Sequence, residues 1–114
     1  MAWVEQEELL DAVTAVSGGG PAYVFLLAEA MEKAAMALGI PSEAARLLVK
    51  QTVMGAGRLL SESDDDAATL RKAVTSPGGT TAAAIEVMAS NDSEGIVIKA
   101  LTRARDRGIE LDQR

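Results

Sequence analysis

The chain has 114 residues, enough for one domain but not for two, and its formal net charge is −6. Nucleic-acid binding needs a basic face, so this acidity argues against nucleic acid as a partner. The sequence has neither cysteine nor histidine, which excludes disulfides, thiolate metal sites, the usual zinc ligands and the Ser-His and Cys-His dyads.

The apolar composition predicts a helical core. Hydrophobic residues make up 48% of the chain and aromatic residues only 3%, so the core must come from Ala, Leu, Val, Ile and Met, which suit closely packed helices. No run approaches the ~20 apolar residues of a membrane span, and the start lacks the plan of a signal peptide. The sequence therefore predicts a soluble cytoplasmic protein without a membrane partner. Met1–Val4 is interpreted as the cut edge of a longer protein.

Two helices are predicted in the first third of the chain. The first runs from about Gln6 to Val16, and the string Ser17–Gly20 is expected to end it. Pro21 then stands at a first helical position, which favours proline, and the second helix covers Ala22–Leu38. Gly39 is a natural C-terminal cap for it.

The third predicted helix is apolar around most of its circumference. It is capped by Ser42 and runs to about Ser61. Gly55 and Gly57 each cost about 1 kcal/mol in a helix interior, which a second helix approaching closely would offset. A helix of this kind is buried on several sides, and a chain this short cannot cover it alone. The sequence therefore predicts self-association.

An acidic run, 62–66, precedes a short fourth helix, Ala67–Val74. A calcium loop is one interpretation of the run, but the required glycine and distal glutamate are absent. A solvated linker that also caps the fourth helix is the better interpretation. Arg71 and Lys72, at the end of this helix, would add positive potential to the loop that follows.

That loop is the stretch Val74–Thr81, around which the chain is organised. Pro77 stops the helix, Gly78 and Gly79 allow a sharp turn, and two threonines are suited to capping the next helix. Two interpretations fit this pattern. It is either a well-capped interhelical turn or a cradle of free N–H and hydroxyl groups for a phosphate or carboxylate.

The remaining elements complete an all-α fold of about six helices in a single domain, 1–114. The fifth predicted helix runs from Thr81 to about Ala89. The string Asn91–Ser93 is expected to break the chain and cap a sixth helix, which Gly108 closes. Leu70 and Val74 of the fourth helix are expected to face inward, as are the apolar residues of the sixth: Ile96, Val97, Ile98, Ala100, Leu101 and Ala104.

Two strings, Asp11–Tyr23 (DAVTAVSGGGPAY) and Leu70–Thr81 (LRKAVTSPGGTT), resemble pyrroline-5-carboxylate reductase. The resemblance extends from about Trp3 to Ile109. It implies an enzyme that reduces 1-pyrroline-5-carboxylate to L-proline, with an N-terminal Rossmann domain for NADP or NAD followed by a helical dimerisation domain. This chain resembles the second domain only, because it has no Gly-x-Gly-x-x-Gly after a strand. It would form an interlocked homodimer, with higher rings in some members, and is expected to bind no cofactor by itself and to be inactive alone.

The resemblance also implies a substrate site. The substrate-binding residues would be Ser76, Pro77, Gly78, Gly79, Thr80 and Thr81, with no metal. The Ser76 hydroxyl and the N–H groups of Gly79, Thr80 and Thr81 would hold the substrate carboxylate, and Thr81 would be the catalytic residue, close to the ring nitrogen. Glu62 is loosely aligned with an acidic residue near the site in relatives. Gly19 departs from the family, which usually has serine there.

Two other functions stay open on the sequence. The chain could be a free-standing helical homodimerisation module that kept the interface without catalysis. It could also be the C-terminal domain of a related helical dehydrogenase that acts on another imine or hydroxy acid. Binding of L-proline to the loop would distinguish the first of these from the reductase.

Overall fold

The computed structural model describes residues 9–113, and their secondary structure is helical, which confirms the all-α prediction. The predicted start of the first helix at Gln6 and the segment Met1–Val4 lie outside the described residues. The described part contains five α-helices, against the six or so predicted: α1 Gly20–Ala37, α2 Ser42–Glu62, α3 Ala67–Ala73, α4 Thr80–Ser90 and α5 Ser93–Asp112. Residues 9–13 are also helical and lead into a π-helical segment, Thr14–Gly18.

The glycine-rich string 17–20 does not end a helix, contrary to the prediction. Gly19 has helical dihedral angles, φ −85° and ψ −16°, and its N–H donates to the Thr14 carbonyl at 3.2 Å, which is π-helical spacing. The widened turn absorbs the glycines, so the helix continues from Leu9 to Ala37. An 18-residue window of this 29-residue stretch has a mean hydropathy of 1.3, and by length and composition alone the stretch could cross a membrane. The sequence did not predict such a stretch, because the helix was expected to break at the glycines.

The second predicted helix corresponds to α1, and its predicted end at Gly39 is confirmed. After α1 the chain passes through Gly39, which has φ +98°. The Ile40 N–H donates to the Ala35 carbonyl at 3.1 Å, and the Gly39 N–H donates to the Met36 carbonyl at 3.0 Å. These two bonds form a Schellman motif, which satisfies carbonyls that the helix end would otherwise leave free.

The other helix ends follow the sequence in part. Asp66 caps α3 by accepting from the Thr69 N–H at 2.9 Å, and Asp92 caps α5 by accepting from the Gly95 N–H at 3.2 Å, as the acidic and Asn-Asp-Ser strings predicted. Ser42 does not cap α2, because the chain becomes helical one residue earlier than expected and Pro41 takes the cap position. Gly108 does not close α5, which continues to Asp112.

The chain forms two compact units, of which the first combines Met1–Val24 with Val87–Arg114. In its described part the π-helical segment contacts α5. Ala15 is buried, and a Cβ at Gly108 would lie 3.0 Å from Oδ1 of Asp11. Gly108 therefore permits a close approach between α5 and residue 11, rather than a helix end.

The second unit, Phe25–Glu86, contains α2 and α3. Only Ala45 and Val49 are buried among its described apolar residues, whereas Met54 is 60% exposed. The prediction that this chain does not cover the third predicted helix, which is α2 in the structure, is thus confirmed. The expectation that Val74 faces inward is wrong, since it is 65% exposed. The same is true in the first unit for three residues of α5, which are all more than half exposed: Ile96, Val97 and Ile98.

Candidate functional site

The loop between α3 and α4 begins with a tight turn over Ser76–Gly79. The Gly79 N–H donates to the Ser76 carbonyl at 3.0 Å, and Gly78 has φ +75°. Proline at the second position and a positive φ at the third are the features of a type II β-turn. Gly79 also stands where a Cβ would lie only 3.2 Å from the Ser76 carbonyl oxygen. The Pro-Gly-Gly sequence is therefore what allows the chain to reverse here.

The end of α3 satisfies its own polar groups. The Val74 N–H donates to the Leu70 carbonyl at 3.3 Å, and the Thr75 N–H donates to that of Lys72 at 3.2 Å. The Thr75 hydroxyl donates to the Arg71 carbonyl at 2.6 Å. Thr75 thus serves its own helix end, and its hydroxyl is committed before the turn begins.

The start of α4 is different, because its first N–H groups have no hydrogen-bond partner within residues 9–113. The Gly79 carbonyl accepts the first helical bond, from the Ala83 N–H at 3.2 Å, so Gly79 is in the cap position. The amides of Thr80, Thr81 and Ala82 follow, and no hydrogen bond joins them to any other described residue. They point outward from the positive end of the helix dipole. This is a local geometry that an anionic group could complete.

Three residues with hydroxyl groups lie at or close to these amides in the chain. Ser76, Thr80 and Thr81 are exposed, and within residues 9–113 their hydroxyls make no hydrogen bond to another residue. Threonines inside the helices behave differently: the Thr52 hydroxyl donates to the Leu48 carbonyl at 2.7 Å, and that of Thr102 donates to the Ile98 carbonyl at 2.7 Å. The loop therefore combines free amides and free hydroxyls within a few residues.

Two of the expected roles change in detail. The N–H of Gly79 closes the turn, so the free amides are those of Thr80, Thr81 and Ala82 rather than of Gly79, Thr80 and Thr81. The threonine side chains do not cap α4, since the helix already begins at Thr80. Sequence reasoning missed Ala82 because an alanine offers no side-chain signal; only the position of the first helical bond identifies its amide as free.

A cleft of about 560 Å³ lies beside the loop. Its lining residues come from the end of α3, the turn and the start of α4: Arg71, Lys72, Thr75, Pro77, Ala82, Ile85 and Glu86. Arg71 and Lys72 take part in none of the ion pairs among the described residues, although the whole chain is acidic. They supply the positive potential that the sequence predicted next to this loop.

Glu62 is not among the residues that line this cleft. Its carboxylate pairs with Arg58 one turn back on α2, at 3.3 Å. A second, more apolar groove of about 370 Å³ lies where α2 meets α3, lined by Ala56, Leu59, Leu60, Ala67, Leu70, Arg71 and Val74. This groove was not predicted, because Leu70 and Val74 were expected to be covered.

The fold and the uncovered apolar helix faces are those of an all-α association domain. The chain belongs to the pyrroline-5-carboxylate reductase dimerisation family, whose family model matches residues 7–111. Pyrroline-5-carboxylate reductase of Pseudomonas aeruginosa is 48% identical over 109 residues, which cover 96% of this chain and 40% of that protein. Pyrroline-5-carboxylate reductase 2 of Bacillus subtilis is 42% identical over 108 residues, 95% of this chain and 39% of that protein.

Solved structures of relatives have the same fold. A pyrroline-5-carboxylate reductase from Coxiella burnetii superposes with a TM-score of 0.87 at 47% identity, over 91% of this chain and 38% of that one. The Plasmodium falciparum pyrroline carboxylate reductase with NADP bound has a TM-score of 0.82 at 34% identity, over 86% of this chain and 39% of that one. The chain therefore spans about two fifths of the length of the relatives it matches.

Proposed function

We propose that this chain supplies the dimer interface and the substrate-carboxylate loop of a pyrroline-5-carboxylate reductase, an enzyme that reduces 1-pyrroline-5-carboxylate to L-proline in proline biosynthesis. The observation that carries the proposal is the group of free amides and hydroxyls at the start of α4, directly after the Ser76–Gly79 turn. Membership of the reductase dimerisation family supports the carboxylate of 1-pyrroline-5-carboxylate as the anion bound there. We place the protein in the cytoplasm, as a homodimer or a ring of dimers.

The substrate is a small cyclic imine with one carboxylate. In the proposal, the amides of Thr80, Thr81 and Ala82 and the Ser76 hydroxyl donate to the carboxylate oxygens, and Pro77, Gly78 and Gly79 hold the turn in shape. Thr81, at the second position of α4, extends its hydroxyl towards the ring nitrogen and orients the imine. The contribution of these residues is orientation and electrostatic stabilisation, which need neither histidine nor cysteine. Arg71 and Lys72 attract the anion into the cleft.

The reducing cofactor, NADP or NAD, would supply a hydride when bound. The residues of this chain do not fit a dinucleotide: residues 9–113 contain no strand, and the sequence has no Gly-x-Gly-x-x-Gly. No reduction step is assigned to them, and the chain is proposed to be inactive alone. The remaining three fifths of the relatives' length is where the cofactor would be held.

The exposed apolar surface supports a partner copy rather than lipid. A membrane would account only for the helix Leu9–Ala37, but large apolar side chains are also exposed on α2, α4 and α5. A helical partner can cover these surfaces as well, and membership of a dimerisation family supports such a partner. A free-standing homodimerisation module without catalysis is the second candidate, because the same exposed surface supports it.

L-proline binding tests the proposal. We expect titration of L-proline into this chain to shift the NMR signals of the Thr80, Thr81 and Ala82 amides, and pyrrolidine, which lacks the carboxylate, to leave them unchanged. Thr81→Ala should weaken the binding by roughly fivefold or more, the effect of one lost hydrogen bond. The matched control is Thr52→Ala, which removes a threonine hydroxyl that is already bonded within α2. Absence of any shift at these amides in the assembled protein would favour the module without catalysis.

The same substitution can be tested for catalysis in an intact relative. At the position of Thr81 in the Pseudomonas aeruginosa enzyme, alanine should lower kcat/KM by about tenfold, which corresponds to about 1.4 kcal/mol of lost transition-state stabilisation. A near-normal kcat/KM would remove Thr81 from the reacting centre and leave only the carboxylate role for this loop.

A further inference from the structure

A single tyrosine folds back over the π-helical segment. The Tyr23 hydroxyl donates to the Ala15 carbonyl at 2.8 Å, eight residues earlier, in partly buried surroundings. Side chains on a helix lean towards its N-terminus, so the ring of residue 23 lies over residue 19 and its hydroxyl reaches the turn before that. Ala15 is one of the few buried residues in the described part of the chain. The hydrogen bond therefore connects the first turn of α1 to the buried side of the π-helical segment.

Gly19 is what makes room for this arrangement. A Cβ built on Gly19 would overlap the Tyr23 hydroxyl oxygen and lie 2.8 Å from the ring carbon Cζ. The neighbouring Gly20 is different, because a Cβ there would contact no other described side chain or backbone within 4 Å. Any side chain at position 19 would thus push the tyrosine ring away.

The junction between the two helical segments needs extra donors. Pro21 has no N–H, so it cannot donate to the carbonyls one turn back. The π-helical turn already changes the spacing of the bonds, with the Gly19 N–H donating five residues back to Thr14. Two side chains add donors here: the Ser17 hydroxyl donates to the Val13 carbonyl at 2.9 Å, and Tyr23 donates to Ala15. Only the second of these depends on Gly19.

We infer that Gly19 and Tyr23 act together as a clasp that holds the π-helical turn in place. The turn sets how residues 9–13 are rotated relative to residues 20–24, and loss of its extra residue would rotate them by roughly 100° about the helix axis. Leu9, Leu10 and Val13, each more than half exposed, would then present a different face. The clasp does not depend on ligand binding at the loop 76–81, so its test is independent of the proposed function.

The stability of the π-helical turn can be measured by hydrogen exchange at the Gly19 amide, because this amide donates a hydrogen bond within the turn. Tyr23→Phe should raise its exchange rate roughly fivefold, the effect of one neutral hydrogen bond. Gly19→Ala should raise it as well, although alanine is the better helix former. In the Gly19→Ala background, Tyr23→Phe should change the exchange of the same amide by less than about twofold, because the ring has already been displaced. Equal effects of Tyr23→Phe in both backgrounds would overturn the clasp.

Ser17→Ala is the matched control, since it removes the other side-chain donor of the same turn. Ser17→Ala should change the exchange rate of the residue 19 amide by the same factor whether position 19 is glycine or alanine. A further measurement needs no change to Tyr23: because the chain has one tyrosine, its ring gives a single Cζ resonance. In the unsubstituted chain, the chemical shift of this resonance should differ from that of a solvent-exposed tyrosine. After Gly19→Ala, the chemical shift should equal that of a solvent-exposed tyrosine. An exposed-phenol signal in the unsubstituted chain would also overturn the inference.

Discussion

Gly78 is the residue on which the shape of the loop depends most directly. Its φ of +75° lies in the left-handed region, which costs a residue with a Cβ about 1–2 kcal/mol. No described residue crowds the position, since a Cβ there would meet no atom of residues 9–113 within 4 Å apart from its two chain neighbours. The constraint is therefore in the backbone, and it comes from the third position of the type II turn.

Gly78→Ala should lower the free energy of unfolding by about 1–2 kcal/mol, measured by urea denaturation at one fixed protein concentration. The control is Gly20→Ala at the start of α1, where the space is open and φ is not positive. It should raise the free energy of unfolding, by up to about 1 kcal/mol, because alanine is the better helix former. If both substitutions have the same effect, the turn does not require a left-handed residue at position 78.

Residues whose role is local were predictable from the sequence. The turn at Pro77 and Gly78 follows from conformational preferences that each residue has by itself. The roles of Ala82 and Tyr23 were not predictable. The backbone amide of Ala82 is free only because α4 begins at Thr80. The Tyr23 hydroxyl reaches a carbonyl eight residues away only because a π-helical turn lies between them. Neither leaves a signal in residue type or spacing.

At the scale of an element, the N-terminal cap of α3 makes the stability of the protein depend on pH. Asp66 accepts from the Thr69 N–H at 2.9 Å, ahead of a helix of only seven residues. Hydrogen bonding from the Thr69 side chain, and then from its backbone N–H, lowers the pKa of the Asp66 carboxyl below its ordinary value of 3.8, while desolvation opposes this. The folded pKa thus lies below the unfolded one. The stabilisation is fully present above the unfolded pKa and is lost as the pH falls through the folded pKa.

Asp66→Ala should therefore destabilise the protein at pH 7, and the difference from the unsubstituted chain should shrink as the pH falls below about 4. Urea denaturation midpoints at a series of pH values measure this difference. Asp64→Ala is the control within the same acidic run, because the Asp64 carboxylate accepts no hydrogen bond from another described residue. A difference for Asp66→Ala that is constant with pH would mean that its charge has no part in capping α3.

Helix ends were predicted well where the signal is a cap made by nearby residues, and poorly where distant packing decides. Asp66, Asp92 and Gly39 act as expected, because each works within a few residues of its own helix. Gly108 was interpreted as a helix end, but it lies inside α5 where Asp11 approaches. The sequence cannot separate these two uses of glycine, since both need only the missing Cβ.

At the scale of the whole molecule, the helices expose more apolar surface than one chain buries. Leu59 and Leu60 on α2 are 56% and 54% exposed, and both line the groove where α2 meets α3. Full burial of a leucine side chain contributes about 1.5–3 kcal/mol, which this chain alone does not obtain from either residue. The sequence predicted this excess from the circumference of one helix. It could not predict which faces stay uncovered, because that depends on how the helices pack.

The chain should therefore sediment at equilibrium with at least twice its own mass. Leu60→Glu should shift it towards the monomer, because a contact related by a twofold axis loses two leucines and gains two charges. Each 1.4 kcal/mol lost raises the dissociation constant tenfold, so an increase of about a hundredfold or more is expected. Leu60 is already more than half exposed within one chain, so the monomer should keep its helical content. Gln51→Glu adds a charge at an exposed position of the same helix that does not line the groove, and it should leave the mass unchanged. A stable, fully helical monomer of the unsubstituted chain would contradict both the predicted self-association and the proposed dimer.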